Sequence, residues 1–145
     1  MTAPSRSIDN LRDDIDVIDD EMHELLMRRV DIVEQIGALK KAAPGDLAIR
    51  PAREARILRR LVAQHRGRFP APVVVRIWRE LIAATTRLQG PFSIAVHAPE
   101  KSVGYWDVAR DQYGSATKAT LHRTANPVIR AVVDGTATIG ILPIP

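Results

Sequence analysis

The strongest constraint on the fold is an apolar seam that runs through residues 8–40. Its members recur at alternating spacings of three and four residues, which is typical of a long helix packed against other helices. A helix of roughly 33 residues would be about 50 Å long, which is too long for one compact domain of this size. The pattern therefore predicts that the helix is shared with a partner chain in a dimer. The seam consists of Ile8, Leu11, Ile15, Ile18, Met22, Leu25, Arg29, Ile32, Ile36 and Leu39.

One seam position, Arg29, carries a charge. A cation among packed apolar residues is costly unless an anion meets it. That anion can be an acid of a neighbouring helix or a ligand. The chain has 21 Lys and Arg against 17 Asp and Glu, a balance that suits nucleic acid or a small anionic substrate.

Composition excludes several classes of site. Cysteine is absent, so no disulfide, thiolate metal site or thiol nucleophile is expected. The four histidines do not cluster, so no metal site is predicted. No catalytic-triad or Gly-rich phosphate-loop pattern occurs. We expect a cytoplasmic protein, because no signal-like or membrane-spanning apolar run is present.

Residues 1–90 are predicted to form a three-helix domain. A break at 43–46 ends the long helix, and a second helix begins near Pro51, a favourable first-turn residue. Residues 67–72 close the second helix, and a third spans 71–88. Residues 91–145 are predicted to form a partial α/β segment, because three short apolar runs alternate with two helical patterns. The predicted strands are 92–96, 117–121 and 138–142, and the predicted helices are 108–113 and 126–133.

Polar residues along the three helices suggest a ligand site. Arg29 and Lys40 are 11 residues apart, so they share a helix face at about 16 Å separation. Arg12 points about 100° away from them and can reach such a site only from a partner chain in an antiparallel dimer. The set suits a small dianion that carries a hydroxyl, although each residue alone also fits an ordinary surface role. Its remaining members are Arg50, Arg53 and Glu54 before and in the second helix, and Thr85 and Gln89 in the third.

The helical part resembles the all-helical (type II) chorismate mutases over residues 7–90. The motifs are Leu11-Arg-x-x-Ile-Asp-x-Ile-Asp, Leu25-Leu-x-Arg-Arg, Ile36-Gly-x-x-Lys, Arg50-Pro-x-Arg-Glu and Thr85-x-x-x-Gln. The resemblance implies an intertwined dimer with two sites, which converts chorismate to prephenate in phenylalanine and tyrosine biosynthesis. It implies no cofactor, metal or covalent step, since the reaction is an intramolecular rearrangement.

The resemblance also implies roles for the catalytic residues. Arg29 and Lys40 would hold a carboxylate and the ether oxygen, and Gln89 would face the ether oxygen beside Lys40. A neutral Gln89 works over a broad pH range, whereas a Glu there would have to be protonated. Catalysis would then consist of holding the compact conformer and stabilising charge on the breaking C–O bond.

The other residues would bind the substrate. Arg12 of the partner chain and Thr85 would contact carboxylates, Arg53 would support the cationic wall, and Glu54 would accept the ring hydroxyl. Arg50 departs from the family, which often has an acid at that position. Thr85 stands where Ser is common, which keeps the hydroxyl.

Residues 92–145 resemble the opening of a prephenate dehydratase domain, best over Thr138-Ile-Gly-Ile-Leu-Pro-Ile-Pro. The family's Gly-Pro-x-Gly-Thr-Phe-Ser loop reads Ala98-Pro-Glu-Lys-Ser-Val-Gly here. Loss of these glycines should impair close backbone approach to a ligand. No dehydratase activity is expected.

Two alternatives remain open from the sequence. One is a basic helical dimer that binds nucleic acid through residues such as Arg28, Lys41, Arg56 and Arg60. The other is a catalytically weak regulatory or scaffold dimer of the mutase fold, whose C-terminal segment binds a partner or effector.

Overall fold

The computed structural model describes residues 6–41, 49–99 and 104–144. The predicted helix break at 43–46 and most of the altered loop at 98–104 lie outside these residues. No described helix is long and apolar enough to cross a bilayer.

Three helices form the N-terminal part, with bounds close to those predicted: α1 is Ile8–Lys41, α2 is Pro51–Gln64 and α3 is Ala71–Gln89. Ser7 caps α1, because its Oγ accepts a 3.1 Å hydrogen bond from the backbone N–H of Asn10. Pro51 occupies the first turn of α2, where its missing N–H costs nothing. The backbone carbonyl of Arg50 accepts hydrogen bonds from the N–H groups of Arg53 and Glu54.

The N-terminal half of α1 exposes its apolar seam. Ile15 is 56% exposed, Met22 62% and Leu25 58%. Near its other end α1 packs on α3, where Gly37 is the buried residue of the helix. A Cβ at Gly37 would lie 3.4 Å from Cγ of Gln89, so the glycine permits close approach of the two helices.

The remainder is a parallel sheet flanked by two helices. Its elements are β1 Ser93–His97, α4 Gly104–Tyr113, β2 Lys118–His122, α5 Ala125–Val133 and β3 Ile139–Ile141. The strand order is β2-β1-β3, so β1 is central. Ala95 on β1 pairs with Thr120 on one side and Gly140 on the other.

Successive residues of β1 enter two different apolar clusters, as the alternation of a strand requires. Ile94 and Val96 pack with Ala109 of α4, whereas Ala95 packs with Val128 of α5. All five are nearly or fully buried. Both faces of the central strand are therefore covered.

Candidate active site

A cavity of about 420 Å³ lies between α1, the start of α2 and the end of α3. Seven of the eight residues that the sequence suggested line it, although they come from three separate stretches of chain. They are Arg29, Lys40, Arg50, Arg53, Glu54, Thr85 and Gln89. The residues predicted from the heptad spacing of α1 and from the motifs of α2 and α3 therefore line the same cavity.

Arg12 is the residue that does not reach this cavity. It lies on the exposed half of α1, and its Nη1 forms an ion pair with Asp9 at 3.1 Å. Both side chains are largely exposed, so this pair contributes little to stability. The placement agrees with the expectation that Arg12 cannot meet the same ligand as Arg29 within one chain.

Arg29 is a half-buried cation with one buried, unpaired nitrogen. Its Nη1 is inaccessible to solvent and has no hydrogen-bond partner among the described residues. Burial lowers the pKa of Arg29, and the positive charge of Arg53 lowers it further. A desolvated guanidinium beside another cation gains most from an anionic ligand that accepts its free N–H groups.

Lys40 and Gln89 form the opposite end of the cavity. The Lys40 Nζ donates a hydrogen bond of 3.2 Å to Oε1 of Gln89. Because the amide oxygen is engaged, the amide NH₂ remains as a neutral donor. Lys40 and Gln89 therefore offer an ammonium and an amide N–H close together.

Glu54 is the carboxylate of the cavity. Burial raises its pKa, while the backbone N–H of Arg50 and the positive charge of Arg79 lower it. Arg79 belongs to α3 and does not line the cavity. Glu54 therefore feels the positive charge of Arg79 and also lines a cavity that holds four cations.

Thr85 is 5% exposed, and its hydroxyl is engaged within its own helix. Oγ1 donates to the backbone carbonyls of Leu81 and Ile82, at 2.9 and 3.1 Å respectively. The hydroxyl must rotate to donate to a ligand carboxylate. Thr86, which sequence reasoning missed, also lines the cavity and donates to the Ile82 carbonyl at 2.8 Å. Only its position next to Thr85 would have indicated it.

Apolar side chains complete the cavity wall, namely Ile32, Val33, Ile36, Ile57 and Ile82. Ile32 and Ile36 are seam positions, so the heptad pattern places them on the same face of α1 as Arg29. Apolar walls around several cations lower the local dielectric and strengthen each charge–charge contact with a ligand. Within the described ranges, no group of three or more His, Asp or Glu is arranged to hold a metal ion.

A second cavity of about 410 Å³ adjoins the first and shares Arg29 and Arg53 with it. Arg56 and Arg60, which the nucleic-acid alternative placed on a basic surface, line this cavity together with Trp78. These arginines therefore face a concavity rather than a flat surface.

The first cavity matches the chemistry of a compact dianion. Arg29, Lys40, Arg50 and Arg53 supply positive charge, Glu54 supplies one acceptor, and Gln89 supplies neutral donors. The arrangement can bind two carboxylates and a hydroxyl, and it can place two donors on one further oxygen.

Comparisons with known proteins find the same family that the helical motifs resemble. Residues 11–90 match the protein family described as chorismate mutase type II. A bifunctional chorismate mutase/prephenate dehydratase from Pseudomonas aeruginosa is 26% identical over 138 residues, which cover 92% of this chain and 38% of that protein. The protein of the same description from Aquifex aeolicus is 28% identical over the same shares. The one from Neisseria gonorrhoeae is 34% identical over 100 residues, which cover 66% of this chain and 27% of that protein. The chain spans less than two-fifths of the length of these relatives.

Proposed function

The chain belongs to the type II chorismate mutase family, and we propose that it converts chorismate to prephenate in the cavity between α1, α2 and α3. The observation that carries the proposal is the solvent-inaccessible Arg29 Nη1, which lacks a hydrogen-bond partner among the described residues. Arg29 lines a cavity together with six of the other seven predicted residues. A ligand carboxylate supplies the missing acceptor.

The reaction requires the protein only to bind the substrate in a reactive conformation and to stabilise developing charge. Within one molecule, a C–O bond to the ether oxygen breaks and a C–C bond forms, so no atom or proton is exchanged with the enzyme. The cavity holds the two reacting parts of chorismate in contact and thereby removes the entropic cost of reaching the compact conformer. Negative charge grows on the ether oxygen as its bond breaks, and fixed donors stabilise that charge.

Each part of the reaction has a residue in the cavity. Arg29 binds a carboxylate, and the Lys40 ammonium and the Gln89 amide donate to the ether oxygen. Ionised Glu54 accepts a hydrogen bond from the ring hydroxyl. Arg53 adds positive charge beside Arg29. The hydrogen bond from Lys40 to Gln89 supports this assignment, because it fixes the amide with its NH₂ free.

Arg50 lines the cavity at the N-terminus of α2. We assign it to a substrate carboxylate, at a position where an acid is common in the family. Thr85 contributes its hydroxyl to a carboxylate after rotating away from the Leu81 and Ile82 carbonyls.

The active form is an intertwined dimer in which Arg12 of one chain serves the cavity of the other. The exposed seam of α1 supports this, because long apolar helix faces are rarely left in water. Antiparallel pairing of two α1 helices that cross midway between positions 12 and 29 brings Arg12 of one chain level with Arg29 of the other. The partner's Arg12 would then exchange its weak pair with Asp9 for a substrate carboxylate.

Residues 92–145 carry no dehydratase activity in this proposal. The similarity to the bifunctional relatives extends over 138 residues, beyond the matched family region, which supports the resemblance to the start of a dehydratase domain. The expected result is that the chain converts chorismate but leaves added prephenate unchanged at neutral pH.

The test is the loss of chorismate absorbance with purified protein, compared with Arg29→Ala and with Arg28→Ala. Arg28 is the exposed neighbour on the same helix and controls for loss of one positive charge. We expect wild-type and Arg28→Ala turnover to agree, and kcat/KM of Arg29→Ala to fall by about 100-fold or more. A folded wild-type dimer without turnover would contradict the proposal and favour the regulatory alternative.

A further inference from the structure

The second cavity carries positive charge that no described acid offsets. Arg29 and Arg53 line both cavities, and the second adds Arg56, Arg60 and Trp78. Of the described residues that line it, none is an Asp or Glu. Neither Arg56 nor Arg60 forms an ion pair with another described residue. Four guanidinium groups around one concavity repel one another, so an anionic occupant stabilises them.

The residues that the two cavities share show where the second one lies. The first cavity extends along α1 from Arg29 to Lys40, whereas only Arg29 of α1 is among the described residues that line the second. Along α2, Arg56 and Arg60 lie about one and two turns beyond Arg53. The second cavity therefore lies at the Arg29 end of the first, away from Lys40.

The N-terminal half of α1 carries the acids that suit this cavity. One stripe beside the apolar seam has polar residues at spacings of three and four, namely Asp9, Arg12, Asp16 and Asp19. Asp16 and Asp19 are exposed and form no ion pair with another described residue. Both belong to the motif that begins at Leu11, and neither has a role in the proposed reaction. A partner chain that presents Arg12 to the first cavity therefore presents Asp16 on the same face.

The antiparallel register of the proposed dimer selects Asp16 from this stripe. When Arg12 is level with Arg29 of the other chain, Asp16 is level with position 25 of that chain. This level lies about 6 Å beyond Arg29, in the direction away from Lys40. The second cavity lies on the same side of Arg29.

We propose that the second cavity is a docking site for a second copy of this chain, in which Asp16 of the partner chain forms ion pairs with Arg56 and Arg60. The inference rests on the antiparallel dimer of the proposed function. Charge complementarity supports it, because residues 9–24 contain eight Asp and Glu against one Arg, whereas α2 contains four Arg against one Glu.

These ion pairs select one register of the two α1 helices. An apolar seam repeats every seven residues, so a slip by one heptad keeps its apolar contacts. The same slip moves Asp16 about 10 Å along the helix axis and away from the arginines. The pairs therefore favour the register in which Arg12 reaches the partner's Arg29.

The experiment measures which dimers form when two charge-reversed chains are refolded together from urea. One chain carries Asp16→Lys, and the other carries both Arg56→Glu and Arg60→Glu. Each homodimer then has two like-charged contacts, whereas the mixed dimer has one reversed pair and one wild-type pair. Random pairing makes half of the dimers mixed. By native mass spectrometry, we expect mixed dimers to exceed the two homodimers together by about tenfold or more, because like charges oppose each homodimer.

Asp13→Lys is the matched control for Asp16→Lys. Asp13 lies two residues from both Leu11 and Ile15 of the seam, so it occupies the opposite face of α1. Refolded with the same arginine double variant, Asp13→Lys should give mixed dimers in the random proportion of half.

Neutral substitutions replace the reversed set if the latter fails to fold. They are Asp16→Asn in one chain and Arg56→Gln with Arg60→Gln in the other. Only the mixed dimer then keeps an ion pair of Asp16 with the two arginines, so mixed dimers should again exceed half.

Random pairing with Asp16→Lys, or an equal excess of mixed dimers with Asp13→Lys, would overturn the inference and leave the cavity to another anion. A monomeric wild-type chain would overturn both the inference and the proposed dimer. The measurement does not depend on turnover. A wild-type dimer that fails to convert chorismate therefore counts against the proposed reaction alone.

Discussion

Lys40 Nζ on α1 donates a 3.2 Å hydrogen bond to Oε1 of Gln89 on α3, which joins the two helices beside the cavity between α1, α2 and α3. The contact fixes the orientation of the amide, because only the NH₂ is then left to meet a ligand. It also keeps a neutral donor and a cation side by side. In the proposed reaction, the pair would stabilise charge on the ether oxygen without a proton that must be present at a particular pH.

Gln89→Glu should make the reaction dependent on acid. A carboxyl group donates to the ether oxygen only when protonated, so turnover should persist at low pH and fall as pH rises through the pKa of the new group. The neighbouring Lys40 ammonium favours the ionised form and moves this loss to lower pH. The pH profile of kcat/KM checks the prediction. Gln35→Glu, at an exposed position of α1, should keep the broad wild-type profile.

Gly37→Ala should separate activity from stability. The added Cβ lies 3.4 Å from Cγ and 3.7 Å from Cα of Gln89, at the tight limit of van der Waals contact, so a small shift of the Gln89 side chain accommodates it. Alanine favours a helix interior by about 1 kcal/mol relative to glycine, which offsets the cost of the shift. We expect an almost unchanged Tm and a loss of about tenfold in kcat/KM.

Gly104→Ala is the control for this substitution, since a Cβ there meets nothing within 4 Å among the described residues. Unchanged turnover in Gly37→Ala would contradict a positioning role for the close α1–α3 approach.

The helical elements were predictable because each has a local cause. The seam of α1 has an unbroken period, Pro51 marks the start of α2, and Gly90 follows the end of α3. The strands and helices from Ser93 to Ile141 also lie within a few residues of their predicted bounds. Short apolar runs between turn residues are sufficient to predict the positions of these elements.

The relations between distant elements were not predictable from local pattern. Nothing in the sequence near Ile49 indicates that it enters a cluster with Phe92 and Val96, because that contact depends on how the sheet sits on α3. The packing of Tyr113 on the same cluster has the same origin. The family motifs predicted the contents of the cavity but gave no information on what lies behind it.

The stability of the protein should fall with rising pH through the titration of Glu54. Burial raises the pKa of Glu54 in the folded state above the ordinary value of 4.5. The folded state therefore binds the proton more tightly than the unfolded chain. The stabilising contribution of this bound proton is complete below the pKa that Glu54 has in the unfolded chain. It is lost as pH rises through the pKa that Glu54 has in the folded state.

Urea unfolding of wild type and Glu54→Gln at a series of pH values measures this contribution. As pH rises above about 4.5, the free energy of unfolding of Glu54→Gln should increase relative to that of wild type. Glu34→Gln, on the exposed face of α1, should track wild type throughout. A wild-type advantage that grows with pH would mean that the surrounding cations outweigh burial at Glu54.

Mixing two inactive variants should restore activity if Arg12 serves the partner's cavity. In a dimer of Arg12→Ala with Arg29→Ala chains, one cavity carries both substitutions and the other carries neither. Random exchange makes half of the dimers mixed, so about a quarter of wild-type turnover is expected, against almost none for either variant alone. The measurement is turnover after co-refolding the two variants from urea in equal amounts. If both arginines served the cavity of their own chain, no mixed dimer would contain an intact site and turnover would stay at the level of the single variants.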